Sequence, residues 1–154
     1  MQQLLTGRTR LPGFSGEWEV KRLGDVLDRM ANGAVYKPTT SFGLPITRIE
    51  TIASGVIDFS RVGYTAMGPE LEKYRIEKGD ILFSHINSLD HIGKVAFFED
   101  ERQLYHGMNL LLLRTNEKNN GRFLYFWLTS EPGRRQTRIL AKQAVNQASI
   151  IHQS

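Results

Sequence analysis

The chain has 154 residues, 40% of them hydrophobic and 10% aromatic, enough for one packed domain. It has no cysteine, which excludes a disulfide framework and thiolate metal sites, and no apolar run approaches the ~18 residues of a bilayer span. The net charge of +4 is local: Arg122, Arg134, Arg135, Arg138 and Lys142 face only Glu131 within residues 122–142, while residues 1–121 hold fifteen basic and fifteen acidic residues. A short basic segment on a balanced domain points to an anionic partner, nucleic acid first. The competing reading is a solvated helix surface.

In chain order, Met1–Leu5 reads as the last turn of a helix that Thr6-Gly7 ends. Met1–Arg10 lacks the apolar core of a signal peptide, so a cytoplasmic protein is expected. Arg8–Gly16 has linker chemistry. Trp18, Val20 and Leu23 are expected to anchor the domain, and Leu23, Val26, Leu27 and Met30 follow helical spacing up to the breaker Asn32-Gly33. Residues 34–43 read as an exposed loop. Ile46–Ile52 alternates as a strand does, Ser54-Gly55 is a turn, and Val56–Phe59 reads as a short strand. Pro69–Tyr74 reads as a short helical piece with proline at its first position.

Three further strands are expected over Ile81–Ser84, Lys94–Phe98 and Leu110–Arg114. Asn119-Asn120-Gly121 ends the last. Phe123, Phe126 and Trp127 then share one helical face. Ser130-Glu131-Pro132 caps a further helix running to about Lys142, which carries the basic residues. Strands and short helices intermix, so the expected class is α+β with a mixed, twisted sheet.

The chemistry concentrates in three polar sets. The loop between the first two of these strands offers Ser84, His85, Asn87, Ser88, His91 and Lys94, side chains suited to base edges. Arg134, Arg135, Arg138 and Lys142, with Lys37, suit phosphates. Tyr36, Asn109, Gln143, Asn146 and Gln147 are further candidates, and Thr39 and Thr40 flank Lys37. Asn109 is either a satisfied strand-end residue or one that faces a ligand. The aromatic run 123–127 is either a base-stacking platform or a core face, and its spacing favours the core.

Catalytic patterns are weak. His85, Asp90, His91 and His106 lack the spacing of a zinc site, and no nucleophile elbow, phosphate loop or dinucleotide fingerprint occurs. No metal and no cofactor is expected. A small metal-dependent nuclease or hydrolase built on those histidines is the alternative function. A protein-docking module presenting Phe123–Leu128 is a third reading.

Taken in order, several segments resemble a target-recognition domain of a type I restriction-modification specificity subunit. They are residues 18–26 (WEVKRLGDV), 43–49 (GLPITRI), 79–84 (GDILFS), 93–96 (GKVA), Met108-Asn109, 123–128 (FLYFWL) and 145–150 (VNQASI). The resemblance covers about residues 14–150 and lies in order and spacing rather than in any one motif. It implies that residues 1–13 are the end of a spacer helix and its linker, with residues 14–154 the recognition domain, lacking the following spacer helix. It further implies a non-catalytic reader of one half of a split double-stranded DNA target. Methyltransferase (M) and restriction (R) subunits would be its partners, and S-adenosylmethionine would sit in the methyltransferase.

Overall fold

The computed structural model describes residues 18–39, 42–66, 68–85 and 93–139, with isolated positions 3, 8, 9 and 12. Most of the expected N-terminal helix end and linker lies outside the described residues.

Two antiparallel sheets form the frame. The larger has strand order β1–β7–β5–β6, from β1 (Leu27–Asn32), β5 (Ile81–Ser84), β6 (Val95–Phe97) and β7 (Leu110–Thr115). The smaller has order β2–β4–β3, from β2 (Pro38–Thr39), β3 (Leu44–Ile46) and β4 (Gly63–Thr65). Parallel pairing among the described residues is confined to two isolated bridges, Ala34–Gly107 and Ile46–Tyr105. Through these bridges segment 104–108 ties the sheets together, with Tyr105 N–H on the Pro45 carbonyl (2.9 Å) and Thr47 N–H on the Tyr105 carbonyl (2.8 Å). The helices are α1 (Leu23–Val26), α2 (Gly121–Thr129) and the helical residues 131–139. The α+β class expected from the sequence holds.

Why β5 and β7 read as apolar runs is plain from their position. Successive side chains alternate between the sheet's faces, and here both faces are covered. Leu82, Ala96, Leu110 and Leu112 pack with Ile52, Ile76, Phe98 and Leu104 on one side. Ile81, Val95 and Leu113 pack under Leu124 and Leu128 of α2 on the other. A third cluster, Ala34, Ile46, Leu71 and Tyr105, sits where the two sheets meet.

Several local expectations change. Leu23–Met30 is not one helix: a single turn ends at Val26, and Leu27 enters β1, whose residues alternate half-buried and exposed. Pairing with β7 (Met30 with Leu113, Asn32 with Leu111) supplies hydrogen bonds that a short isolated helix cannot match, and leaves Met30 60% exposed. The anchors at the domain's start are weaker than expected. Val20 is fully exposed, and Trp18 stacks on Phe123, ring centroids 5.9 Å apart.

The alternating run Ile46–Ile52 stops as a strand at Ile46 and becomes a 3-10 turn over Ile49–Ile52. Two buried threonines hold that exit: Thr47 Oγ1 accepts from Gly107 N–H (2.9 Å), and Thr51 Oγ1 accepts from Arg48 N–H (2.9 Å) and donates to the Arg61 carbonyl (3.0 Å). Val56–Phe59 forms no strand, because Asp58 accepts from Ser60 N–H (2.9 Å) and starts a 3-10 turn, Phe59–Arg61. The exposed loop expected over 34–43 contains buried Ala34 and the ladder residues Pro38–Thr39. The short helical piece Pro69–Tyr74, a 3-10 helix, and strands β5, β6 and β7 lie where the sequence put them.

Candidate nucleic-acid interface

The β5–β6 hairpin holds both stems of the polar loop. At its base, Gly79 N–H bonds the Phe98 carbonyl (2.8 Å), and Phe98 N–H bonds the Asp80 carbonyl (2.9 Å). At its tip, Ser84 N–H bonds the Lys94 carbonyl and Gly93 N–H bonds the Ser84 carbonyl, both at 2.9 Å. The loop therefore leaves and returns at one fixed point. Asn87, Ser88, Asp90 and His91, candidate side chains between the stems, lie outside the described residues.

The two stems differ in exposure. Ser84 is fully buried, on the Leu82 face of the sheet, and its hydroxyl has no hydrogen-bond partner among the described residues. It faces the core rather than a duplex. His85 is half-buried at the end of an apolar groove lined by Phe83, Leu111, Trp127 and Gln136, and burial lowers its imidazole pKa. Lys94, also half-buried, lines a different and more polar groove.

Residues 131–139 bring the arginines to that groove. Ser130 Oγ accepts from Gly133 N–H (3.3 Å) and donates to the Trp127 carbonyl (2.6 Å), capping the new helix directly on the end of α2. A Cβ at Gly133 would lie 2.1 Å from the Trp127 carbonyl oxygen, so the tight junction needs glycine. From this junction Arg134 and Arg138, one helical turn apart, reach the groove of Lys94. Arg135 faces elsewhere, beside Glu131, Gln136 and Ile139. None of the ion pairs among the described residues engages Arg134, Arg135 or Arg138. Arg122, part of the same charge excess, is spent on Glu99 and lies over the Phe97 ring.

The helix also touches the loop stems. Thr137 lines the groove of His85, and its Cγ2 lies 3.4 Å from where a Cβ on Gly93 would stand. Thr137 thus sits beside both ends of the hairpin tip.

The remaining candidates lie apart. Tyr36 and Lys37 line a separate groove with Glu70, Lys73 and Tyr74, and burial raises the Tyr36 hydroxyl pKa. Asn109 occupies a turn at φ 74°, a left-handed conformation that asparagine tolerates, so its backbone already accounts for it. Lys142, Gln143, Asn146 and Gln147 lie outside the described residues. In α2 the buried residues are Leu124 and Leu128, and Phe123 stays 44% exposed against Trp18, so the aromatics flank the core face instead of forming it.

Sequence reasoning passed over one wall of the arginine groove. The turn Ala53–Val56 and Tyr125 line it together with Lys94, Arg134 and Arg138. The signals were the Ser54-Gly55 turn and the aromatic run that contains Tyr125, with nothing in the sequence to tie one to the other or to the arginines.

Of the hydrolytic set, Asp90 and His91 lie outside the described residues. His106 is fully buried and its Nε2 sits 2.9 Å from the Leu110 carbonyl. A carbonyl only accepts, so Nε2 carries the proton and Nδ1 is bare, buried and without a partner among the described residues. Burial is the main reason its pKa falls to about 4. Among the described residues no group of three His, Asp or Glu side chains could hold a metal ion, and no helix is long and apolar enough to cross a membrane.

Comparison with known proteins bears on this geometry. A family model, the type I restriction modification DNA specificity domain, matches residues 15–152. A putative type I restriction enzyme MjaX specificity subunit of Methanocaldococcus jannaschii is 44% identical over 148 residues, covering 93% of this chain and 35% of that protein. A solved chain, from work on complex assembly and conformational transition of the type I R-M system, shares the fold with a TM-score of 0.54 at 16% identity. The match covers 97% of this chain and 44% of that one. The chain thus spans less than half the length of either relative.

Proposed function

The chain belongs to the type I restriction modification DNA specificity family, and from that premise we propose that it is a target-recognition domain that reads one half of a split double-stranded DNA site. The recognition unit begins at about residue 14. It is non-catalytic and acts in the cytoplasm. Methyl transfer and cleavage fall to methyltransferase and restriction subunits in the assembled complex, and the chain itself takes no cofactor.

One observation carries this reading. Lys94, at the exit stem of the polar loop, shares a groove with Arg134 and Arg138. Phosphate contacts fix register and base contacts specify sequence, and a reader needs the two side by side. Asn87, Ser88 and His91 are the proposed base readers, with His85 at their root. No observation favours the hydrolase alternative, and the burial of His106 removes one of its four residues.

The test is retention of a randomised duplex pool by the purified chain at low and moderate salt, followed by sequencing. Enrichment of a few contiguous base pairs is the expected result. Retention without enrichment, lost at moderate salt, would leave only non-specific attraction and overturn the recognition reading.

A further inference from the structure

We propose that the turn 53–56 is a third DNA-contacting segment: the cleft it forms with Lys94, Arg134 and Arg138 seats a backbone phosphate, the Ser54 hydroxyl donates to it, and Tyr125 positions the turn. The inference rests on the DNA-reading role above and adds residues to it.

The composition of the cleft comes first. Lys94, Arg134 and Arg138 line it with no carboxylate among the lining residues. The other grooves holding candidate cations are different. Lys37 shares its groove with Glu70, and Arg135 shares its own with Glu131. Three cations in a concave, carboxylate-free site concentrate positive potential where an anion can enter. Arginine forks and a lysine ammonium together match a phosphodiester's two non-bridging oxygens, which share one negative charge.

The wall opposite the arginines is suited to the same ligand. Ser54 is exposed at its rim, and its hydroxyl makes no hydrogen bond among the described residues. Gly55 has φ +84°, a left-handed conformation that lets the turn reverse tightly after the 3-10 helix Ile49–Ile52. Two bonds hold it there: Gly55 N–H to the Ile52 carbonyl at 3.0 Å, and Tyr125 Oη to the Gly55 carbonyl at 3.5 Å, the long limit for a hydrogen bond. Tyr125 belongs to α2, whose end carries the arginine helix, so one helical unit sets both walls. The seat also adjoins the loop, because Thr137 of the arginine helix lies beside Gly93, next to Lys94.

The experiment is fluorescence anisotropy of the full chain with a labelled mixed-sequence duplex over a series of salt concentrations. Variants are Ser54→Ala, Ser54→Glu, Tyr125→Phe and Lys94→Ala, with Lys118→Ala as a control outside the cleft. Ser54→Ala should weaken binding about five- to tenfold without changing the salt slope, the size of one ordinary solvent-exposed hydrogen bond. Ser54→Glu should weaken it more than tenfold, Tyr125→Phe about threefold, and Lys94→Ala should lower the slope by about one. Thermal unfolding of each variant checks that it folds. Wild-type binding with both Ser54 variants and Lys94→Ala behaving like the control would overturn the seat and leave DNA reading intact. Failure of the wild type to bind duplex at low salt would overturn the reading and the seat together.

Discussion

Arg114 meets Asp80 fork-on, Nε 2.7 Å from Oδ1 and Nη2 2.8 Å from Oδ2. Asp80 is almost completely buried and also accepts from Glu77 N–H (2.8 Å), while Arg114 Nη1 reaches the exposed Glu77 carboxylate. The pair locks the base of the β5–β6 hairpin to β7, and the bonds Arg114 donates to Asp80 hold its guanidinium pKa well above the usual value. Arg114→Ala strands a buried carboxylate and should cost about 3–5 kcal/mol in denaturant unfolding. Arg114→Lys keeps a charge but loses the fork and should recover only part of this. A loss under about 1 kcal/mol for Arg114→Ala would mean that Asp80 is rehydrated.

Acid should destabilise the fold through His106. Its folded pKa is depressed to about 4 from an ordinary 6.5, so the unfolded chain takes up a proton first as pH falls. The contribution of neutral His106 is fully present above pH 6.5, is lost progressively below it, and levels off near pH 4. The size is about 3 kcal/mol. His106→Gln keeps a donor for the Leu110 carbonyl and removes the titration, so its stability should depend less on pH across that window. Parallel stability–pH curves for the two proteins would refute this.

The arginines should be unequal. Removing Arg134 and Arg138 together should reduce the salt slope of duplex binding by about two, because both sit in the Lys94 cleft. Arg135→Ala, on the Glu131 side, should change the slope by about half a unit or less. Equal slopes for Arg134→Ala and Arg135→Ala would show that total charge, not placement, governs binding.

Asn109 should behave as a turn residue. Asn109→Gly relieves the left-handed conformation at φ 74° and should change stability by no more than about 0.5 kcal/mol, with duplex affinity unchanged. Asn109→Val should cost about 1–2 kcal/mol. Lost duplex affinity in a stable Asn109→Gly variant would return Asn109 to the contact set.

Sequence alone determined the strands whose pattern has one reading. The runs expected as strands, Ile81–Ser84, Lys94–Phe98 and Leu110–Arg114, are short and largely apolar between turn residues, and within a residue at each end they form β5, β6 and β7. It also determined the Pro69 start of a short helical piece, the Ser130 cap, and the concentration of charge in residues 122–142. These features are local, set by nearest neighbours and by composition. Tertiary structure decided the rest, because the deciding partner is distant in sequence. Leu23, Val26, Leu27 and Met30 suit a helix, and β7, more than 80 residues on, makes Leu27–Asn32 a strand. Ser84 reads as polar loop chemistry and His106 as a candidate catalytic histidine until the layers above them bury both. Spacing put Arg134 and Arg138 on one helical face, but only the helix's seat on α2 turned that face toward Lys94 and the 53–56 turn. A groove whose walls come from three separated segments has no local signature, since its chemistry exists only once the chain has folded.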